Sequence, residues 1–133
     1  MNTTATIAVI EDDETIRTLL QMLLKNAGFT SVRTAERGDT GLELVRRHKP
    51  DLVLLDLMMP GIDGFEVIRR LRADEATKDL PIIILSALNS EQDISKGFQL
   101  GANDFINKPI IMEKLLSSVT TQINLQAAKA QAG

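Results

Sequence analysis

The stretch that most constrains the fold is Asp51-Leu52-Val53-Leu54-Leu55-Asp56-Leu57-Met58-Met59-Pro60-Gly61. Four apolar residues run without a break into an acid, and Pro60-Gly61 then stops the chain from continuing straight. A short apolar run closed by turn residues is the pattern of a strand buried on both faces. Asp56 is then placed where that strand leaves the core, and it is the candidate centre around which the other functional residues are arranged.

The same grammar recurs along the chain. Residues 7–10 are apolar and end on Glu11-Asp12-Asp13. Ile16, Leu19, Leu20, Leu23 and Leu24 follow at helical spacing, with Gly28 as a stop. Residues 30–34 make a weaker strand. Residues 39–48 carry Leu42, Leu44 and Val45 on one side and basic residues near the end, where a helix dipole favours them. Beyond the central run, residues 64–73 place Phe65, Val67, Ile68 and Leu71 on a helix. Ile82-Ile83-Ile84-Leu85 forms a strand that stops at Ser86, and residues 91–100 form a helix closed by Gly101. Phe105-Ile106 is a short last strand ending at Asn107-Lys108-Pro109, and residues 111 to about 125 form a final helix striped by Leu115, Leu116, Val119 and Ile123. Five strands alternating with five helices across short connections predict an α/β fold with helices on both faces of a parallel sheet. Right-handed crossovers favour a flavodoxin-like doubly wound sheet of order 2-1-3-4-5. Residues 1–125 are expected to be one domain, and the Ala/Gln-rich residues 126–133 a frayed helix end, a disordered tail or a truncated linker.

Composition removes several classes of function. A chain of 133 residues that is 44% hydrophobic and 25% charged supports one core. A net charge of -3 weighs against a nucleic-acid surface, and 3% aromatic content, all of it Phe, weighs against base stacking. The absence of cysteine excludes disulfides and thiolate metal sites. No run approaches the roughly 18 apolar residues that cross a bilayer. Residues 1–6 do not read as a signal peptide, so cytoplasmic residence is the expectation.

Ligands of open α/β sheets bind beyond the carboxyl ends of the strands. The residues that follow the apolar runs are Glu11 and Asp12, Asp56, Ser86 and Lys108. Carboxylates gathered on one rim repel one another unless a cation lies between them, and oxygen-only donors suit Mg2+. A carboxylate can also be the nucleophile of phosphoryl transfer, with an ammonium and a hydroxyl holding the transferred oxygens. These residue types point to Asp56 as nucleophile, Asp12 as metal ligand, Glu11 as metal-side acid, and Lys108 and Ser86 as phosphate partners.

With these residues in place, the chain resembles the receiver domain of two-component response regulators over residues 6–122. The resemblance is carried by Glu11-Asp12 after the first strand, Asp56 in Leu54-Leu55-Asp56-Leu57-Met58-Met59-Pro60-Gly61, Ser86-Ala87, and Lys108-Pro109. It implies that Asp56 takes phosphate from the phosphohistidine of a sensor histidine kinase or a phosphotransfer protein in a phosphorelay. It further implies Mg2+ on Asp12, Asp56 and the main-chain carbonyl of Met58, with Glu11 acting through metal-bound water, Lys108 on the phosphate, and a cis Lys108-Pro109 bond. Ser86 and Phe105, where many members carry Thr and Tyr, would be the switch residues that alter the surface of the fourth helix, fifth strand and fifth helix. That surface would meet an output partner or a second receiver. Such a protein catalyses only its own phosphorylation and dephosphorylation and is not otherwise an enzyme.

Plainer roles stand beside these. Asp12 or Asp13 can simply cap the first helix, and a one-residue shift of the acid pair to Asp12-Asp13 is open. Asp63-Gly64 reads as a turn or a helix start, and His48, among Arg46, Arg47 and Lys49, as a solvated surface residue. Met58 and Leu88 would line the mouth of the pocket and slow attack by water. An aspartyl-phosphate phosphohydrolase would want an acid two residues after its nucleophile, where Met58 stands, and no GxxxxGK[ST] loop is present. An unphosphorylated pseudo-receiver would lack an acid or the lysine, and none is missing.

Overall fold

Each apolar run becomes a strand and each apolar stripe a helix. The computed structural model describes residues 4–132, so residues 1–3 of the polar start and Gly133 of the tail lie outside the described residues. In chain order the elements are β1 (Thr6–Ile10), α1 (Glu14–Asn26), β2 (Ser31–Ala35), α2 (Gly38–His48), β3 (Leu52–Asp56), α3 (Gly64–Ala73), β4 (Ile82–Ser86), α4 (Glu91–Leu100), β5 (Asp104–Asn107) and α5 (Met112–Ala132). The strands form one sheet of order β2-β1-β3-β4-β5, with every pair parallel. This is the doubly wound architecture expected from the alternation of runs and stripes.

Strand pleating sorts the apolar residues into two cores. Val53 and Leu55 of β3 join Ala8, Ile10, Ile82 and Ile84 under α2 and α3. Leu52 and Leu54 join Ile7, Val9, Ile83 and Leu85 under α1 and α5. All five residues of β3 are buried, which is why its sequence shows no polar alternation. Truncating Leu54 to Ala would cost about 3 kcal/mol, the usual size for a large-to-small change in a packed core.

The helix starts follow from their caps. The Asp13 carboxylate accepts from the amide of Ile16 at 3.1 Å, Asp63 from Glu66 at 3.0 Å, and the Ser90 hydroxyl from Asp93 at 3.1 Å. Gly101, at φ 112°, closes α4 in a left-handed conformation that costs a residue without Cβ little. The far end of α5 differs from expectation, because the helix runs through Leu125 to Ala132. Leu, Gln, Ala and Lys are strong helix formers, so this segment remains helical after its last core residue, Ile123, while Leu125 is exposed.

Candidate functional site

Parallel strands deliver their carboxyl ends to one edge. In register, Ile10 lies beside Leu55, Asp56 beside Leu85, and Ser86 beside Asn107. The residues immediately after β1 and β5, and the last residues of β3 and β4, therefore share that rim. The Lys108 ammonium lies 2.6 Å from Glu11 Oε1 and 3.6 Å from Asp56 Oδ1. Glu11 and Lys108 are 97 residues apart in the chain. Carboxylate oxygens of Glu11, Asp12 and Asp56 all lie within 4.8 Å of one another. Glu11 and Asp56 are buried and Asp12 is exposed, so the cluster opens to solvent on the Asp12 side.

The loops around the cluster are tied by their own main chain. The amide of Met58 donates to Asp56 Oδ1 at 3.2 Å, and the amide of Asp13 to Glu11 Oε2 at 3.2 Å. Gly64 donates its amide to the carbonyl of Leu57 at 3.0 Å. A Cβ at residue 64 would lie 2.6 Å from the Asp56 carbonyl oxygen, so only glycine allows α3 to start this close to β3. Ser86 is fully buried, and its hydroxyl accepts from the amide of Leu88 at 3.0 Å. The Lys108-Pro109 peptide is cis, and the Lys108 amide donates to the Ser86 carbonyl at 3.0 Å.

The charge balance of the rim is uneven, with three carboxylates facing one lysine. Burial, reinforced by neighbouring Glu11, pushes the Asp56 carboxyl up from 3.8 to about 7, against the pull of Lys108 and the Met58 amide. Burial alone would lower the Lys108 ammonium, but Glu11 and Asp56 outweigh it and hold it above its ordinary value. Oxygen donors that repel one another at this spacing fit a hard divalent cation.

The predicted site residues thus take distinct places. Glu11, Asp12, Asp56 and Lys108 are brought together, and Asp13 serves instead as the cap of α1. Ser86 ends the adjacent strand, facing the loop to α4. Phe105 lies beside Ile84 in register, partly buried against the α2/α3 core and next to Gly97 of α4. Met58 contacts Asp56 through its amide, while its side chain is exposed. With Asp12, Phe65 and Leu88, Met58 lines a shallow cavity of about 380 Å³. His48 is exposed at the end of α2.

Two residues next to the site carried no sequence signal of their own. Arg17 donates to the main-chain carbonyls of Glu11 and Asp12. Lys96 of α4 lies 4.3 Å from the ring centre of Phe65. The only hint of Arg17 was a basic residue one turn beyond three consecutive acids.

The sequence profile of the response regulator receiver domain matches residues 7–120. The transcriptional regulatory protein AfsQ1 of Streptomyces coelicolor is 48% identical over 104 residues, covering 78% of this chain and 44% of that protein. The DNA-binding dual master transcriptional regulator RpaA of Synechocystis is 43% identical over 113 residues, covering 85% of this chain and 46% of that protein. The chain thus spans less than half the length of these two relatives. Among solved structures, a putative response regulator from Chloroflexus aurantiacus superposes with a TM-score of 0.86 at 33% identity, covering 91% of this chain and 98% of that one. Chemotaxis protein CheY4 of Vibrio cholerae superposes with a TM-score of 0.83 at 28% identity, covering 89% of this chain and 98% of that one. Profile, relatives and fold agree: the chain belongs to the response regulator receiver domains of two-component signalling.

Proposed function

We propose that this domain is a stoichiometric phosphoacceptor, in which Asp56 receives a phosphoryl group from the phosphohistidine of a sensor kinase or phosphotransfer protein. The observation that carries the reading is the meeting of Asp56, Lys108, Glu11 and Asp12 at one rim, from three segments far apart in sequence. An oxygen of the Asp56 carboxylate attacks phosphorus, the phosphorus–nitrogen bond breaks, and the imidazole leaves with the bonding pair. An acyl phosphate results. Lys108, already within reach of Asp56, pairs with the transferred oxygens, and the Met58 amide orients the attacking carboxylate. Glu11, Asp12 and Asp56, with the Met58 carbonyl, would hold Mg2+. The ion supplies the positive charge that keeps Asp56 ionised and offsets the oxygens of the incoming group.

Ser86 would donate its hydroxyl proton to a phosphate oxygen, and the loop before α4, joined to that hydroxyl through the Leu88 amide, would move with it. Phe105, packed near Gly97, would then turn inward and alter the α4-β5-α5 surface, which binds an output partner or a second receiver. The protein would act in the cytoplasm and turn over no external substrate. Among the described residues no helix is long and apolar enough to cross a membrane.

Intact-mass measurement with a small phosphodonor and Mg2+ tests the reading. The wild type should gain one phosphoryl group and Asp56→Asn none. Equal labelling of both, or multiple turnover of a free phosphate ester, overturns it.

A further inference from the structure

Arg17 lies one turn beyond the cap of α1, and its side chain is only 14% exposed. Its Nη1 donates to the carbonyl of Glu11 at 2.9 Å and to that of Asp12 at 3.0 Å. Its Nη2 is 4.0 Å from the carboxylate of Glu36, which is 75% exposed. A guanidinium among three consecutive acids would ordinarily pair with their carboxylates. Among the described residues, Arg17 makes no ion pair with Glu11, Asp12 or Asp13. Its donors go to the main chain that carries them, and their carboxylates go elsewhere. Glu11 takes Lys108 and the Asp13 amide, Asp13 caps α1, and Asp12 faces solvent beside Asp56.

We infer that Arg17 is a positioning residue for the acidic rim: it fastens two successive carbonyls just after β1 so that the Glu11 and Asp12 side chains are held facing a divalent cation without either being consumed by an ion pair to Arg17 itself. The inference rests on the cation site of the phosphoacceptor reading. One amino group, its two protons fixed in the guanidinium plane, serves both carbonyls while Nη2 lies toward Glu36, and an ammonium on a flexible stem grips such a pair less firmly. Outer-sphere partners of this kind commonly change metal affinity by about tenfold or more.

Charge and positioning predict opposite signs, which makes the inference testable. Arg17 is a cation beside a cation site. If it acted only through its charge, removing it would tighten Mg2+ binding, and Arg17→Lys would bind as the wild type does. If it positions the acids, Arg17→Met and Arg17→Lys both weaken binding, by about tenfold.

The experiment is titration of the full chain with MgCl2 at constant ionic strength, followed by amide chemical shifts of Asp13 and Met58. Amide hydrogen exchange is measured on the same metal-free samples. Both variants should lose protection at the Glu11 and Asp13 amides, which are bonded to the Ala35 carbonyl and to Glu11 Oε2 respectively, while the interior of β1 keeps its protection. Unchanged or tighter Mg2+ binding by either folded variant overturns the inference. If Arg17→Met does not fold, Arg17→Lys decides. A wild type that ignores Mg2+ overturns the cation site and the positioning role together; variants that match a responsive wild type overturn the positioning role alone.

Discussion

Arg72 and Asp56 lie in two regions where charge is buried, and the regions are finished differently. The Arg72 guanidinium reaches the Gly101 carbonyl from Nε at 3.1 Å and from Nη2 at 2.8 Å. It also donates to the Thr77 carbonyl at 3.2 Å and to Asn103 Oδ1 at 3.0 Å. Asn103 in turn accepts from the amide of Ile82 at 2.9 Å. One side chain of α3 thereby caps the end of α4 and ties it to the start of β4, with Asp79 supplying opposite charge. At Asp56 the hydrogen bonding is equally complete, since no buried polar side-chain atom among the described residues lacks a partner. The charges, however, do not cancel, because three acids cluster there and Lys108 reaches two of them. A junction built for stability closes its electrostatics internally. A site built to take a ligand leaves a deficit for the ligand to fill.

That contrast can be broken by experiment. The largest effect is expected at Lys108, where substitution by Met should slow phosphoryl uptake from a small donor by about a hundredfold, read from the rate of mass gain. An unchanged rate would mean that the lysine balances Glu11 and nothing more. Next comes Arg72→Met, which strands carbonyls at the end of α4 and should cost about 3 kcal/mol in urea unfolding, with phosphoryl uptake retained at temperatures where the variant is folded.

The smallest effect has the most informative sign. Burial raises the folded-state carboxyl of Asp56 from 3.8 to about 7, so the folded protein holds that proton more tightly than the unfolded chain. The contribution of Asp56 to metal-free stability is therefore fully present below 3.8 and is lost as pH rises toward about 7. Asn carries no such penalty. Above that range the shift alone amounts to about 4 kcal/mol, and with the cost of burying the Asn amide set against it Asp56→Asn should be more stable than the wild type by about 1 to 2 kcal/mol, with the gap closing as the solution is acidified. A constant gap across pH would assign the difference to packing.

The two regions also differ in how far they could be read from sequence. The rim was legible because each strand announces itself as an apolar run and each run ends on a residue whose chemistry is specific: Glu11, Asp56, Ser86, Lys108. The start of α3 and the end of α4 were legible for a similar reason, since Asp63 and Gly101 act within a few residues of themselves. Arg72 was invisible because its partners at Gly101 and Asn103 lie 29 and 31 residues away and are mostly main-chain oxygens, which every residue possesses. Arg17 was missed for the same reason at shorter range. The end of α5 is less legible because the apolar stripe stops at Ile123, whereas helix propensity alone carries the chain onward.

Gly64 has a consequence for how this domain would look in a saturation screen. It contributes no side chain, charge or proton to the chemistry, yet α3 touches the backbone of Asp56 at this position. Any larger residue would displace the loop that follows Asp56. Intolerance at position 64 would then rival that of the reacting residues, and a map of sensitivity alone would mark as chemical a place whose only contribution is vacant space.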